Sequence, residues 1–541
     1  MAIRPTFYGF QMAKSALSAS QRNIDVTGQN IANINTDGYS RQRANLSAIG
    51  TGGLEWKYPV SPSANVGLGV NIDSIQRIRD QFLDARYRKE NGDNSRYAAI
   101  QDVLGSVQTN VDEFVTDSTD HIFTSFMNAL QSFQTNADEV EASSLVRSSA
   151  EQFVRTLNSI SSNINQIASQ QYQQLSLIKD SVNNIANSLD DLNKEIRMQA
   201  ILGPVSNELL DKRDMLLDKL STYGEVKVVE DPTHGIWVYF GNGDVGDDSS
   251  LPDSRLTDSL LVRGDTVGHN TLDFEAVFND PNQEGPVRLT WSADNETGNP
   301  GGDFMTTTGQ IFAYYEMING MGDLTQTDEN LDLATKGIPY YMNIINTFTA
   351  DFAKTFNDLN THIYNESSTN PTTVGGPLFA TKDGSDTINA GNITISQDWQ
   401  NDPQFLLTTT SEFANPNSPD YTPGAARNDN VLRMIAAIRD ETREFTDPAG
   451  NKYTGSFQQY VGYLNSEISI EINYNDSRKN TSDILLQSAD DLRSSIMNVS
   501  EDEEAMNLTM YQKSYNAAAR YMTVLDEMLN TIINGMGVVG R

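Results

Sequence analysis

Apolar residues fall at helical spacing over most of this chain. Ile3, Phe10, Leu17, Ile24 and Ile31 recur every seven residues, and the small residues Ala13, Ser20 and Thr27 sit three positions after Phe10, Leu17 and Ile24. The pattern predicts a helix with a narrow, one-sided stripe that wants a close partner. Toward the other end Leu508, Tyr511, Tyr515, Ala518, Met522, Leu525, Leu529, Ile532 and Met536 alternate spacings of three and four without a break, which is a coiled-coil pattern. Between them lie two more seams. Val146, Ala150, Phe153, Leu157, Ile160, Ile164 and Ile167 form one, and Leu175, Ile178, Val182, Ile185, Leu189, Leu192 and Ile196 form the other, offset by a single stutter. Together they predict one helix of about 55 residues, roughly 80 Å long. Gly203 and Pro204 end it, and "SNELLDKRDMLLDKL" opens a shorter amphipathic helix with Ser206 as its N-cap. Helical patterns also cover residues 331–364, 430–440 and 456–498.

Strand-like text is confined to the interior. From Val226 onward short β-prone runs, "VKVVE", "GIWVYF" and "VRLTW", are broken by Gly, Pro, Asn and Asp, and "GNITIS" marks a second, smaller insert. The expected fold class is mainly α with β inserts (α+β, multidomain), built on paired terminal coiled-coil helices and a long helical rod. The expected division is a terminal assembly domain from residues 1–75 and 500–541 and a helical rod from 76–225, 308–365 and 425–499. A β-rich acidic insert (226–307) and a small β/loop insert (366–424) complete it, both pushed outward from a helical stalk that holds the two ends.

Charge sharpens the picture. The 541 residues carry a formal net charge of -34, which repels a phosphate backbone and removes nucleic acid as a partner. Residues 1–100 hold 12 basic and 8 acidic side chains, whereas residues 226–307 hold 4 and 15, so the acidity belongs to the middle. There is no cysteine, which excludes disulfides, thiolate metal sites and cysteine nucleophiles. No apolar run reaches the roughly 18 residues of a membrane span, and "MAIRPTFYGFQMAKSALSAS" lacks a signal-peptide core. The chain is therefore expected to be soluble, without membrane contact, and exported, if at all, without a cleaved signal.

Catalytic and ligand motifs are incomplete in this chain. His121, His234, His269 and His362 are too far apart in sequence for a zinc helix. "GNGDVG" (Gly241–Gly246) matches a dinucleotide-binding glycine pattern, but Asp244, Asp247 and Asp248 would repel a pyrophosphate and the following residues do not open a helix. "DLTQTDENLD" (Asp323–Asp332) reads either as a weak cation site or as a solvated loop. No catalytic, cofactor-binding or metal site is expected, and the chain is read as a non-enzyme.

A family resemblance covers most helical segments of the chain, among them "GLGVNIDSIQRIRDQFLDARYRKE" (residues 67–90), "NELLDKRDMLLDKL" and "IPYYMNIINTFTADFAKTFNDLNTH", and is carried most clearly by the two ends. "NIANINTDGYSRQ", residues 30–42, resembles the N-terminal signature of the axial proteins of the bacterial flagellum: the rod, hook and hook-associated families. Asn33 and Asn35 suit caps and turns, and Gly38 permits a positive φ. Tyr39 and Arg41 would then reach a neighbouring subunit. Asp37 stands where many relatives have Pro, and Gly28-Gln29 replaces a more usual pair of polar residues. "NVSEDEEAMNLTMYQKSYNAAARYMTVLDEMLNTIINGMG" is similar to the ending of the hook-associated protein 1 family, with an acidic start at Glu501–Glu504 and a Tyr-Gln-x-x-Tyr-x-Ala-Ala helix at Tyr511–Ala518.

The resemblance implies a structural role in flagellum assembly and motility. The chain would be secreted by type III export and located outside the cell, in the junction between hook and filament. Its implied partners are the hook protein, a neighbouring hook-associated protein, further copies of itself in a ring-like zone, and an export chaperone at the C-terminal region. The expected subunit interface comprises Ile3, Phe10, Leu17, Ile24, Ile31, Asn33, Gly38, Tyr39 and Arg41 with Leu508, Tyr511, Tyr515, Met522, Leu525, Leu529 and Ile532. A flagellar hook or rod protein, a secreted adhesin-like binding module, and an ordinary helical hairpin packed on its own domain remain alternatives. An isolated helix holds only if its stripe finds a surface. The two ends are accordingly expected to pair with each other and with neighbours, and to be mobile in the free monomer. Amide exchange on dilute monomer checks this, and strong protection of both ends would overturn it.

Overall fold

The computed structural model describes residues 7–49, 67, 69–112, 120–137, 139–230, 235–241, 259–263, 269–276, 287–292, 302–322, 335–364, 372–411, 427–447 and 450–536. Its frame is helical. In chain order come α1 (Phe7–Ala32), strands β1 (Gln42–Ala48) and β2 (Val70–Arg77), α2 (Gln81–Asp112), α3 (Asp120–Thr135), α4 (Val140–Leu202) and α5 (Asn207–Ser221). Strands β3 (Val226–Glu230), β4 (Ile236–Phe240), β5 (Leu260–Val262), β6 (Leu272–Ala276), β7 (Val287–Trp291) and β8 (Gly302–Asp303) follow, then α6 (Gly309–Asn319) and α7 (Ile338–Asn360). The remainder is β9 (Thr361–Tyr364), β10 (Thr372–Gly375), β11 (Phe379–Thr381), β12 (Ile393–Ile395), α8 (Gln397–Asn401), α9 (Asp429–Ile438), β13 (Glu444–Thr446), β14 (Lys452–Thr454), α10 (Phe457–Met497) and α11 (Glu501–Met536).

The spine is α4. Its 63 residues make a rod of about 95 Å, longer than the apolar pattern alone suggests. Every residue of both predicted seams is buried. The seams serve different cores. Val146 to Ile167 pack with α2, α3, α7, α9, α10 and the β11–β12 hairpin, whereas Leu175 to Leu189 pack with α5, α6 and the strands β4 to β7. The interval at the stutter carries Gln170, Gln171, Gln173 and Gln174, with Gln171 buried.

The β-rich segment packs directly on the helical frame. Two antiparallel three-stranded sheets, β3-β4-β5 and β6-β7-β8, lay their apolar faces on the second half of α4 and share its core. Strand β4 is buried along its whole length, so it needs cover on both faces and takes α4 as one of them. Asn193 and Asn183 of α4 bond the backbone at Ile236 and Leu272, which fixes the register of the sheets on the helix.

Two expectations shift. The helix expected over 331–364 is α7, ending at Asn360, because Thr361–Tyr364 pairs as a strand with Thr372–Gly375. Ser206 is the N-cap residue of α5, but its hydroxyl bonds the Glu208 carboxylate and makes no cap bond to the backbone. Over 456–498 the expected helix is α10. Its N-terminus is closed by reciprocal bonds, Gln459 N–H to Ser456 Oγ at 3.3 Å and Ser456 N–H to Gln459 Oε1 at 2.8 Å.

One side chain ties the first core together. Phe352 of α7 is 0% exposed. Its ring centroid lies 4.8 Å from Phe153, 4.6 Å from Phe356, 5.5 Å from Phe379 and 5.5 Å from Phe457, so a single ring meets α4, β11 and α10. The Phe352→Ala variant is expected to lose about 3–5 kcal/mol of stability. Denaturant midpoints compared with the parent chain check it.

Candidate functional site

At the base of the rod the segment after α1 meets α5, the hairpin of β1 and β2, and the break between α10 and α11. The helix end is built locally. Asn33 Nδ2 donates to the Gln29 carbonyl at 2.9 Å, and Asn33 Oδ1 accepts from Thr36 Oγ1 at 3.2 Å. Gly38 follows at φ +77, where a side chain is strained. A Cβ there would meet Met215 at an ordinary 3.5 Å, so the backbone angle, not lack of room, requires glycine.

The next four residues reach three elements: Tyr39 and Gln42 bond α1, Ser40 bonds α5 and Arg41 bonds α11. Tyr39 is buried and its hydroxyl donates to Asn30 Oδ1 at 2.9 Å. Burial, then the carboxylates of Asp211, Glu208 and Glu504, push that hydroxyl well above its ordinary pKa, so it stays a neutral donor. Ser40 donates its N–H to Asp211 Oδ2 at 3.2 Å and its hydroxyl to Asp211 Oδ1 at 2.7 Å, reaching α5. Arg41 reaches α11, with Nη1 on Glu503 at 2.7 Å and Nε on Glu504 at 2.8 Å. Gln42 is held by the amide of Asn30, which accepts its N–H at 2.9 Å and donates to its carbonyl at 3.0 Å.

Beneath this loop lies a buried cluster of charges. Asp211, Asp214 and Asp218 share one face of α5 at spacings of three and four. Arg77 of β2 bonds Asp211 and Asp214, each at 2.8 Å. Arg79 bonds Asp84 at 2.6 Å and Ser40 Oγ at 3.2 Å, and lies 3.5 Å from Asp214. Arg88 of α2 bonds Asp218 at 2.7 Å and Asp214 at 3.2 Å, and Arg493 of α10 bonds Asp218 at 2.7 Å while covering the Tyr87 ring at 4.0 Å. Burial alone would raise the Asp214 carboxyl. The surrounding Arg79, Arg77, Arg88 and Arg213 outweigh it and hold the carboxyl at about 2.

The terminal helices run antiparallel from this joint. Gly9 lies against Leu525, whereas Arg41, past the other end of α1, meets Glu503 and Glu504. On α1 the small residues Ala13, Ser20 and Thr27 are buried, and Phe10, Leu17, Ile24 and Ile31 are half-buried. This follows from helix contact geometry: small side chains sit where the helices approach, and bulky ones flank them. On α11 Leu508, Tyr511, Met522, Leu525 and Leu529 are half-buried, while Tyr515 and Ile532 are exposed. Ile3 lies outside the described residues.

Tyr39 and Arg41, expected to reach a neighbour, are thus engaged inside the chain. Asn30, Ser40, Arg77, Arg79, Arg88, Asp211, Asp214, Asp218 and Arg493 were not singled out from sequence. The available signal was the Asp triplet on one face of α5, with Arg77, Arg79 and Arg88 at short intervals elsewhere. Of the candidate ligand motifs, "GNGDVG" beyond Gly241 and the segment Asp323–Asp332 lie outside the described residues. Among the described residues no group of three or more His, Cys, Asp or Glu is placed to hold a metal ion, and no helix is long and apolar enough to cross a membrane.

The sign of the pH effect follows from Asp214. A carboxyl lowered from 3.8 to about 2 contributes stability that is complete above pH ~4 and lost as pH falls toward 2. The contribution is on the order of 2 kcal/mol. Asp214→Asn is expected to cost roughly 3–5 kcal/mol at neutral pH, because it leaves guanidinium groups buried without their anion. The gap between variant and parent should narrow below pH ~4. Urea midpoints taken at neutral pH and near pH 3 test both statements.

Three family models match the chain. The one described as flagellar hook-associated protein FlgK helical domain covers residues 104–379, flagella basal body rod protein covers 10–39, and flagellar basal body rod FlgEFG protein C-terminal covers 485–535. The chain is 29% identical over 546 residues to flagellar hook-associated protein 1 of Bacillus subtilis (strain 168), covering 99% of each chain. It is 23% identical to flagellar hook-associated protein 1 of Salmonella typhimurium, over 96% of this chain and 98% of that one. The solved flagellar hook junction protein FlgK from Burkholderia pseudomallei shares the fold with a TM-score of 0.56 at 12% identity, covering 76% of this chain and 100% of that one. With the helical-domain match alone spanning more than half of its residues, the chain belongs to the FlgK family of flagellar hook-associated proteins.

Proposed function

We infer that this chain is a structural component of the hook-filament junction of the bacterial flagellum and that it assembles through its paired terminal helices. The supporting observation is that α11 carries two apolar stripes. One, through Tyr511, Met522, Leu525 and Leu529, lies half-buried in the pair with α1. The other, through Met506, Met510, Tyr521, Val524 and Met528, faces outward and is exposed. Met506 with Met510, and Tyr521, Val524 and Met528, recur at helical spacing in two runs separated by Lys513, Ser514 and Ala517, on a line about a third of a turn from the first stripe. The outward face of α1, by contrast, is polar, with Gln11, Lys14, Ser18, Gln21, Arg22 and Asp25 exposed. A partner that covers α11 would complete a helical layer that one chain leaves half made.

The partner class is the set of flagellar axial proteins. Within that class we propose the hook protein, a neighbouring hook-associated protein and further copies of this chain in a ring-like zone, with an export chaperone at the C-terminal region before secretion. The role is structural rather than catalytic, and the chain acts outside the cell after type III export. The matches at residues 10–39 and 485–535 are to rod-type models, which favours a shared assembly mode for the two ends. The helical-domain match at 104–379 favours the junction over rod or hook. The proposed division keeps the two ends, 1–75 and 500–541, as the assembly domain.

Met510→Lys and Met528→Lys, each on the outward stripe, are expected to leave the purified chain folded with an unchanged melting midpoint. In cells lacking the parent chain these variants should allow hooks to form, while filament subunits are shed into the medium and swimming is lost. Filaments of normal length with both substitutions combined would overturn the assignment of this stripe to assembly.

A further inference from the structure

The rod and the terminal pair meet at a break in the helical run that closes the chain: α10 ends at Met497 and α11 begins at Glu501. Arg41 holds both sides of that break. Its backbone N–H donates to the Met497 carbonyl at 2.9 Å, and its guanidinium holds Glu503 at 2.7 Å and Glu504 at 2.8 Å, in the first turn of α11. Its own carbonyl accepts from the Ile78 N–H at 2.8 Å, just past β2. The same residue is thereby fixed to the hairpin, to the last residue of the rod helix and to the start of the terminal helix.

The chemistry suits a geometric task. Glu504 is 2% exposed, so its charge needs a specific counter-ion, and a planar guanidinium with directed N–H groups accepts only a narrow range of carboxylate positions. Apolar packing could hold the two helices together, but it would tolerate sliding. Ion pairs read in two directions from one guanidinium do not.

We propose that Arg41 is the pin that sets the angle between the rod and the terminal helical pair, so that the free chain already points the outward stripe of α11 at its neighbour, in place of the mobile ends expected from the sequence. Without the guanidinium, α11 would still pack along α1, and the pair would be held to the joint only from the α1 side, through Ser15, Asn30 and Ser40, leaving α11 free to bend relative to α10 at residues 498–500. That the angle serves assembly rests on the reading of α11 given above; that Arg41 sets the angle does not.

The chain has no cysteine, so spin labels can be placed at chosen sites without removing native thiols. Labels at Ser477→Cys on α10 and Ser514→Cys on α11, both exposed positions, report the angle by pulsed electron paramagnetic resonance. The parent is expected to give one narrow distance peak. Arg41→Ala should give a broad distribution, and so should Arg41→Ala combined with Glu504→Gln, which removes the orphaned buried charge. Far-UV circular dichroism confirms that the helices are retained. A narrow, parent-like peak in the double variant overturns the proposal, including the case in which the single variant alone broadens, because the cause would then be the unpaired Glu504. Met510→Lys separates the two readings: it should keep the narrow peak, and it fails to assemble only if the outward stripe is the assembly surface.

Discussion

A carboxylate taken out of water must be met by opposite charge, and the buried side chain of Asp214 imposes that condition on the rest of the joint. It draws Arg77 from a strand, Arg88 from α2 and Arg79 from the turn between them to one face of α5. Asp218, one turn further along, adds Arg493 from α10. These groups come from elements more than a hundred residues apart, and none of them can relax without leaving a charge exposed to a low-dielectric interior. The cluster therefore fixes where four elements stand relative to one another.

The rod is held on a different principle. Along α4 the contacts are mostly apolar and non-directional, with Asn183 and Asn193 as the polar pegs for the sheets, and they bury two successive faces under two cores. Such packing gives most of the stability but sets angles loosely, within the tolerance of ridges meeting grooves. The joint adds little to the apolar burial and a great deal to direction. The order of construction is thus a rod stabilised by burial, a joint oriented by charge, and an end whose burial is left incomplete.

What could be read from sequence follows this division. The seams of α4 were legible because each position is apolar and the spacing is regular, and all of them are buried. The start of α10 was legible from its helical pattern over 456–498, and the structure adds the reciprocal cap of Ser456 and Gln459 that closes it. The joint was not. Asp211, Asp214 and Asp218 look like the wet face of an amphipathic helix, and only the arrival of Arg77 and Arg88 from distant sequence makes that face the inner one. Strand β1, "QRANLSA", has weak alternation and no β-branched residue; it is a strand because β2 pairs with it from Gln42↔Arg77 to Ala48↔Val70. For the same reason Tyr39 and Arg41, placed correctly in a loop after α1, were read as reaching outward: one sequence cannot say whether a polar side chain finds its partner in its own chain.

The outward stripe of α11 completes the division of labour. Its apolar residues include Met506, Met510 and Met528, long unbranched side chains whose thioethers adapt to uneven surfaces. A branched residue at those positions would demand one complementary shape, whereas methionine accepts several at similar cost. Under the proposed role, a component placed between two structurally different neighbours would need that tolerance in the stripe. It can afford it only if the direction of the helix is already fixed elsewhere, and the bonds around Ser40, Arg41 and Asp211 supply that direction. Specific geometry in the joint and permissive chemistry at the tip are therefore complementary requirements of one design.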